Sequence, residues 1–377
     1  MLKQKFVLAA AVAGLSISAS AADVMVVKIG NAGPLSGPAA HLGKDSENGS
    51  RLAIEDVNAK GVEIGGKPVK FELVAEDDQG DPRQGTLVAQ RLIDGGVKGV
   101  IGHVNSGASI PASRLYSEAG IPQISPASTS PKYTAQGYKT TFRTVSNDMQ
   151  QGTAIGKFVV EGLGAKRIAI IDDRTAYGQG LAEEVARVAQ AAGAEVVARE
   201  FTHDKANDFM AILTTLKGQK PDVIFYGGAD AQAGPMLRQM KQLGMQAKFI
   251  GGDAICTPQM IKLAGSGISD RTYCTLPGLP LEEMAGGKAF KERFQKRFGG
   301  EPIAGGPYAY DATMAIIESM KKANSVEPAK YLPELSKVTL SGVTGNVAFD
   351  AKGDLKDAWV SVQNFKNGNW VAVKSIH

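Results

Sequence analysis

Short apolar runs alternate with longer amphipathic stretches along most of this chain, and that alternation limits the fold more than any other feature. Met25 to Gly30, Val69 to Ala75 and Val97 to Ile101 read as strands. Gly43 to Ala59 and Arg83 to Ile93 read as helices, with Leu52, Ile54 and Val57 on one and Leu87, Val88 and Leu92 on the other at helical spacing. A βαβαβα order implies a parallel sheet covered by helices. The Val-Val-Lys-Ile core of the first run predicts a strand buried on both faces.

The same order returns after Thr140 to Asp148. Helix Gln150 to Glu161 leads to strand Arg167 to Asp172, helix Leu181 to Ala192, strand Glu195 to Phe201 and helix Phe209 to Leu216. Strand Asp222 to Gly227, helix Gln232 to Leu243 and strand Ala247 to Gly251 follow. Helices Gly286 to Phe298 and Tyr308 to Ala323 come later. In the tail, two Trp-Val-x-Val runs bracket Asn367-Gly368, a hairpin turn signal. The fold class is therefore α/β, with two similar units in one chain. No Gly/Ser or Pro-rich linker separates them, so they are expected to be closely coupled.

The chain has 377 residues, enough for two domains. Lys3 and Lys5 precede the apolar run Phe6 to Ile17, which ends in small residues. Residues 1–21 read as a cleavable secretory signal peptide, and the run is too short for a membrane span. The mature protein is expected to be soluble and exported. Its near-neutral balance, without a Lys/Arg cluster, argues against a nucleic-acid partner. Cys256 and Cys274 fit a disulfide better than a metal site in an exported protein, two free thiols being the alternative.

The stretch Val100 to Ser113 reads as a strand end, a Gly/Ser-rich turn and a helix capped by Ser106 or Ser109, with Pro111 in its first turn. Such a turn, at a helix N-terminus, suits a carboxylate, and Ser106 adds a hydroxyl. A second polar turn, Ile124 to Pro131, follows the short strand Ile121 to Ser125 and can face the same crevice. Taken alone, either turn also reads as an ordinary βα loop.

Nothing in the sequence supports a reaction. Gly30-Asn-Ala-Gly33 lacks the dinucleotide spacing, and Pro38 and Asp45 spoil the P-loop pattern around Lys44. Ser106 has Val104 where a nucleophile elbow needs Gly. None of His41, His103, His203 and His377 has a partner at metal-ligand spacing, so no metal or cofactor is expected. His103 reads as a hydrogen-bonded structural residue, and Asp81-Pro82 as a helix cap.

Taken in order, several motifs resemble the branched-chain amino acid (Leu/Ile/Val-binding) family of periplasmic substrate-binding proteins, the soluble receptors of ABC importers. They are Gly33-Pro-Leu-Ser-Gly-Pro-Ala39, Asp56-Val-Asn-Ala-Lys-Gly61, Asp77-Asp-Gln-Gly-Asp-Pro82, Ile101-Gly-His103 and Ile124-Ser-Pro126. Phe142-Arg-Thr144, Tyr177-Gly178, Tyr226-Gly-Gly228 and Phe349-Asp-Ala-Lys-Gly-Asp-Leu355 continue the series. The resemblance implies a type I periplasmic binding fold: two Rossmann-like lobes joined by three crossovers, with the ligand in the cleft between them. Lobe I would comprise 22–145 and 277–350, and lobe II 146–276 and 351–377. It also implies a periplasmic monomer that binds a small amino acid and delivers it to an inner-membrane ABC permease.

By position, the resemblance assigns Ser106 and Thr129 to the ligand carboxylate. The Ser128 carbonyl and Thr129 hydroxyl fall to the ammonium, with Ala127 lining the same turn. Asp253 is the acidic partner from the other lobe, and Tyr177 closes over the ligand. Leu42 and Ala229 stand where well-known members carry aromatic residues, so the side-chain pocket is expected to differ. Asp253 is one methylene shorter than the family Glu. Gly80 and Asn105 occupy the positions of the family's first-lobe disulfide, leaving Cys256 and Cys274 as a different bridge. A ligand sensor on the same fold and a hydrolase using Ser106 are the rival readings.

Overall fold

The computed structural model describes residues 24–377, so the expected leader at 1–21 lies outside the described residues. The first half of the chain runs β1 (Met25–Gly33), α1 (Ala40–Lys60), β2 (Val62–Ile64), β3 (Lys67–Asp77), α2 (Pro82–Asp94), β4 (Val100–Gly102) and α3 (Ser106–Glu118). Then come β5 (Gln123–Ser125), α4 (Lys132–Ala135) and β6 (Thr141–Arg143). These strands form one sheet in the order β2-β3-β1-β4-β5-β6. All its pairings are parallel except that of the edge strand β2 with β3.

The second sheet begins after α5 (Asp148–Lys157). It contains β7 (Arg167–Asp172), α6 (Ala176–Ala191), β8 (Glu195–Phe201), α7 (Met210–Gln219), β9 (Val223–Gly227), α8 (Asp230–Gln242), β10 (Lys248–Gly251), α9 (Pro258–Ala264) and β11 (Thr272–Leu276). The chain then returns to the first sheet with α10 (Gly287–Phe298), α11 (Gly305–Lys322), α12 (Pro328–Leu335) and the small ribbon of β12 (Leu340–Ser341) and β13 (Asn346–Val347). It ends in β14 (Val360–Lys366) and β15 (Asn369–Ile376), which complete the second sheet in the order β15-β14-β11-β10-β9-β7-β8. The chain thus passes three times between two lobes. Asn367 (φ 53°) and Gly368 (φ 85°) make the hairpin turn their identities predict.

Burial explains the layers. Ile54, Val57, Ala312, Ile316 and Met320 pack α1 and α11 on one face of the first sheet, and Val88, Leu92, Ala112 and Tyr116 pack α2 and α3 on the other. In the second lobe, Leu181, Val185 and Ile155 cover one face and Leu213, Leu237 and Met260 the other. The start of β1 departs from the expectation of two-sided burial. Val26 and Lys28 are exposed while Val27 is buried, and β1 is buried on both faces only from Ile29 on, where neighbours flank it on both sides. The short strands β2 and β6 and helix α12 have too few apolar positions to show a period in sequence, and none was expected.

α1 and α11 cross closely at Gly49, where a Cβ would run into the Gly306 carbonyl. Gly49→Ala is therefore expected to cost about 2 kcal/mol by forcing the two helices apart. The urea midpoint should fall at unchanged slope; a wild-type midpoint would show that the crossing is not close-packed.

Candidate functional site

Apart from Leu42, in the first turn of α1, the site residues expected from sequence sit at the carboxyl end of a strand or just beyond it, where open parallel sheets bind ligands. Ser106 follows β4 and Ala127 to Thr129 follow β5. From the second lobe, Tyr177 follows β7, Ala229 follows β9 and Asp253 follows β10.

In the first lobe Ser106 opens α3 with Asn105 as N-cap, and no side chain caps the helix. The expected caps are corrected accordingly. The Ser109 hydroxyl instead donates back to the His103 carbonyl (3.0 Å), and Pro111 lies in the second turn. The Ser106 Oγ accepts from the Ser130 N–H (3.2 Å), which leaves its own proton to donate towards the cleft. Asn105 lies against Gly80, so the two positions of the missing disulfide are spatial neighbours.

The 127–131 turn is held from below. Ser125 Oγ accepts from the Ser128 N–H (2.8 Å) and donates to the His103 carbonyl (2.7 Å). The Ser128 hydroxyl is also turned inward, to the Val104 carbonyl (3.1 Å). The Ser128 carbonyl, expected to meet an ammonium, accepts from Arg143 Nη1 at 2.6 Å. A guanidinium already on that oxygen repels a second cation, so this assignment is corrected. Among the described residues no donor reaches the neighbouring Ala127 carbonyl.

Arg143 is fully buried and sequence reasoning gave it no role. Its Nε donates to Asp354 Oδ1 (2.6 Å), and Nη2 donates to the Ser130 carbonyl (3.0 Å) and Thr134 Oγ1 (2.9 Å). One side chain thereby ties the candidate ligand turn to the chain segment that makes the third passage between lobes.

In the second lobe Asp253 Oδ1 accepts from Tyr177 OH (3.0 Å) and from Gln151 Nε2 (3.0 Å), whose own Oε1 accepts from Thr275 (2.9 Å). The Tyr177 hydroxyl reaches Asp253 over Gly252, where any Cβ would collide with it. The Cys256–Cys274 disulfide joins the Asp253 loop to β11, as expected. Asp148, in the first turn of α5, was missed by sequence reasoning. It is buried, and neither carboxylate oxygen has a well-formed hydrogen bond; the Thr129 hydroxyl is the donor that lies beside it. Burial, with the nearby Asp253 charge reinforcing it, pushes the Asp148 carboxyl up to about 8, and burial also raises Asp253. Two acidic groups thus converge on one spot with no ion-pair partner among the described residues.

At the mouth of the cleft Leu42 and Ala229 are both partly buried. Their neighbours touch across the lobes: His41 Nε2 lies 2.9 Å from Asp230 Oδ2. The arrangement does not support Ser106 as a nucleophile. The His103 ring bonds Asp78 (2.6 Å) and Tyr116 (3.2 Å), the structural role expected of it. Asp81 accepts from the Arg83 and Gln84 N–H groups as the cap of α2.

Two sheets meeting at a cleft lined by strand-end turns define a two-lobed ligand-binding protein. The chain belongs to the periplasmic binding protein family, whose model matches residues 26–368. It is 38% identical over 338 residues to Leu/Ile/Val-binding protein homolog 1 of Brucella abortus, covering 89% of this chain and 88% of that one. It is 35% identical over 349 residues to the leucine-, isoleucine-, valine-, threonine- and alanine-binding protein of Pseudomonas aeruginosa, covering 93% and 92%. The fold superimposes with a TM-score of 0.85, at 27% identity, on a branched-chain amino acid transporter substrate-binding protein of Streptococcus pneumoniae solved with isoleucine, covering 93% and 99%. Among the described residues no helix is long and apolar enough to cross a membrane.

Arg143→Met should cost about 3–5 kcal/mol, because it strands the Asp354 carboxylate and two buried carbonyls. Denaturant unfolding checks it; a loss below about 1 kcal/mol would mean the guanidinium is not holding the turn.

Proposed function

We propose that the chain is an exported solute-binding receptor of an ABC importer, not an enzyme. It binds a small amino acid, branched-chain Leu, Ile or Val first, between closing lobes and hands it to an inner-membrane permease. The observation that carries this reading is the pair of buried carboxyls, Asp148 with Thr129 beside it and Asp253, with no cationic partner among the described residues. Buried acids without a partner are costly, and an α-ammonium supplies the missing charge.

In this reading the ammonium sits among Asp253, Asp148, Thr129 Oγ1 and the Ala127 carbonyl. The carboxylate takes the Ser106 hydroxyl and the first N–H groups of α3. Tyr177 orients Asp253, while Asn105, Leu42 and Ala229 shape the wall. The aliphatic residues at 42 and 229 reshape the side-chain pocket, and the branched-chain assignment draws on relatives named for leucine, isoleucine and valine. The lobes, 22–145 with 277–350 and 146–276 with 351–377, close as rigid units about the three passages. Residues 1–21 direct export and are removed, and the mature chain works as a periplasmic monomer.

A thermal-shift screen of refolded mature protein against the twenty amino acids, γ-aminobutyrate and small aromatic acids tests the reading, since a ligand that binds the native state raises the melting temperature. Leu, Ile or Val should give the largest shift, and Asp253→Ala should abolish it. A shift confined to ligands without an α-ammonium would remove the amino-acid assignment.

The raised carboxyls set a sign for pH. An acid raised on burial opposes the closed form once pH exceeds its ordinary value near 4, and most strongly above about 8 for Asp148. Closing without a cation should therefore weaken as pH rises, whereas closing on a zwitterion should not. Small-angle scattering at pH 5 and pH 8, with and without L-leucine, reads the difference; equal pH dependence in both samples would contradict it.

A further inference from the structure

We infer that His41 and Asp230 form an interlobe latch that exists only when the lobes close and that sets how tightly they stay closed. The inference rests on the lobe closure proposed above but not on the identity of the ligand. His41 lies in the first turn of α1 on the first lobe, and Asp230 is the first residue of α8 on the second. They are 189 positions apart in the chain and meet at 2.9 Å.

The donor order is fixed by the surroundings. The Thr257 Oγ1 accepts from the Met260 N–H (2.9 Å), so its proton is free for Asp230 Oδ2 (2.5 Å). That carboxylate is buried, at 1% exposure, and stands at the start of a helix, where negative charge is favoured. It is thus an acceptor towards both partners, and His41 Nε2 donates. Among the described residues His41 is the only basic side chain at ion-pair distance from Asp230. Thr257 adjoins Cys256, so the disulfide that steadies the Asp253 loop also steadies this half of the latch.

Other charged groups face the pair from each side. Asp45, one turn along α1, accepts from the Ile303 and Gly306 N–H groups, and Lys44 is engaged by Glu47 (2.8 Å). On the second lobe the Tyr226 hydroxyl feels the charges of Asp173, Asp204, Asp172 and Asp230. His41 therefore has Asp45 on its own helix and Asp230 across the cleft as acidic neighbours. The imidazole Nε2 holds the buried Asp230 carboxylate from the other lobe, so the contact adds to the stability of the closed form alone. Leu42 and Ala229 are the sequence neighbours of the pair, which places the latch over the region proposed for the ligand side chain.

The test counts open and closed molecules by single-molecule energy transfer on the mature chain without added ligand, with one dye on each lobe and the disulfide intact. At pH 7 the ratio of closed to open should fall by about fivefold in His41→Gln, the scale of a single partly exposed ion pair. Asp230→Asn should show the same deficit, and the double variant no more than either. His41→Lys, which keeps a donor at this position, should raise the closed fraction over His41→Gln and so carries the test even if Asp230→Asn folds poorly. A wild-type ratio in His41→Gln, or deficits that add in the double variant, would overturn the latch. A titration with L-leucine separates the two proposals: failure to bind leucine while the closed fraction follows this pattern removes the ligand assignment and leaves the latch.

Discussion

Two acidic side chains that are not neutralised by the protein organise this cleft. Asp253 is oriented by Tyr177 and Gln151, but both bonds use one oxygen, and Asp148 has no well-formed bond to either oxygen. A carboxylate moved from water into a closed interior loses several kcal/mol unless a cation or donors replace the water. The two lobes are therefore not self-complementary where they meet. In the proposed reading they become so when a positive group enters, and a ligand that fits the closed form better than the open one shifts the equilibrium towards it.

The rest of the architecture keeps the two halves of that site from adapting to one another in any other way. On the first lobe, Arg143 clamps the carbonyls of Ser128 and Ser130 and binds Asp354 from the third passage, so the polar turn cannot rearrange without breaking a buried ion pair. On the second, the disulfide, Gly252 and the Tyr177 hydroxyl hold the Asp253 loop against β11 and α6. In the proposed reading, closing brings together two preformed surfaces, which lowers the ordering cost of binding. Specificity for the side chain then falls to the mouth, where Leu42 and Ala229 are aliphatic and the His41–Asp230 contact sits beside them.

Much of this was legible in the sequence. The period of the long helices and the apolar runs ending in β4, β7 and β9 gave both sheets, because burial on both faces leaves a continuous apolar signature. Ser106, Thr129, Tyr177 and Asp253 stand after predicted strands, so strand order was enough to bring them to one cleft. The family resemblance, rather than any local pattern, suggested what each would touch. Asp148 read as an ordinary acid in a first helical turn, and only its burial shows that it is unpaired. Arg143 sits in a three-residue strand too short for a periodic signal. The role given to the Ser128 carbonyl failed because backbone direction within a turn is set by tertiary bonds, here those of Arg143. The contact of His41 with Asp230 spans two lobes, and no local spacing encodes it.

The central claim is that the cleft is built for a positive charge, and isothermal titration of L-leucine against its des-amino analogue 4-methylpentanoate at pH 7 tests it most directly. The two ligands share the carboxylate and the aliphatic chain and differ in the ammonium alone. Leucine should bind at least about a hundredfold more tightly, the scale of a buried charge left without its partner. Equal affinities, or tighter binding of the analogue, would contradict the account and return Asp148 and Asp253 to a purely structural role.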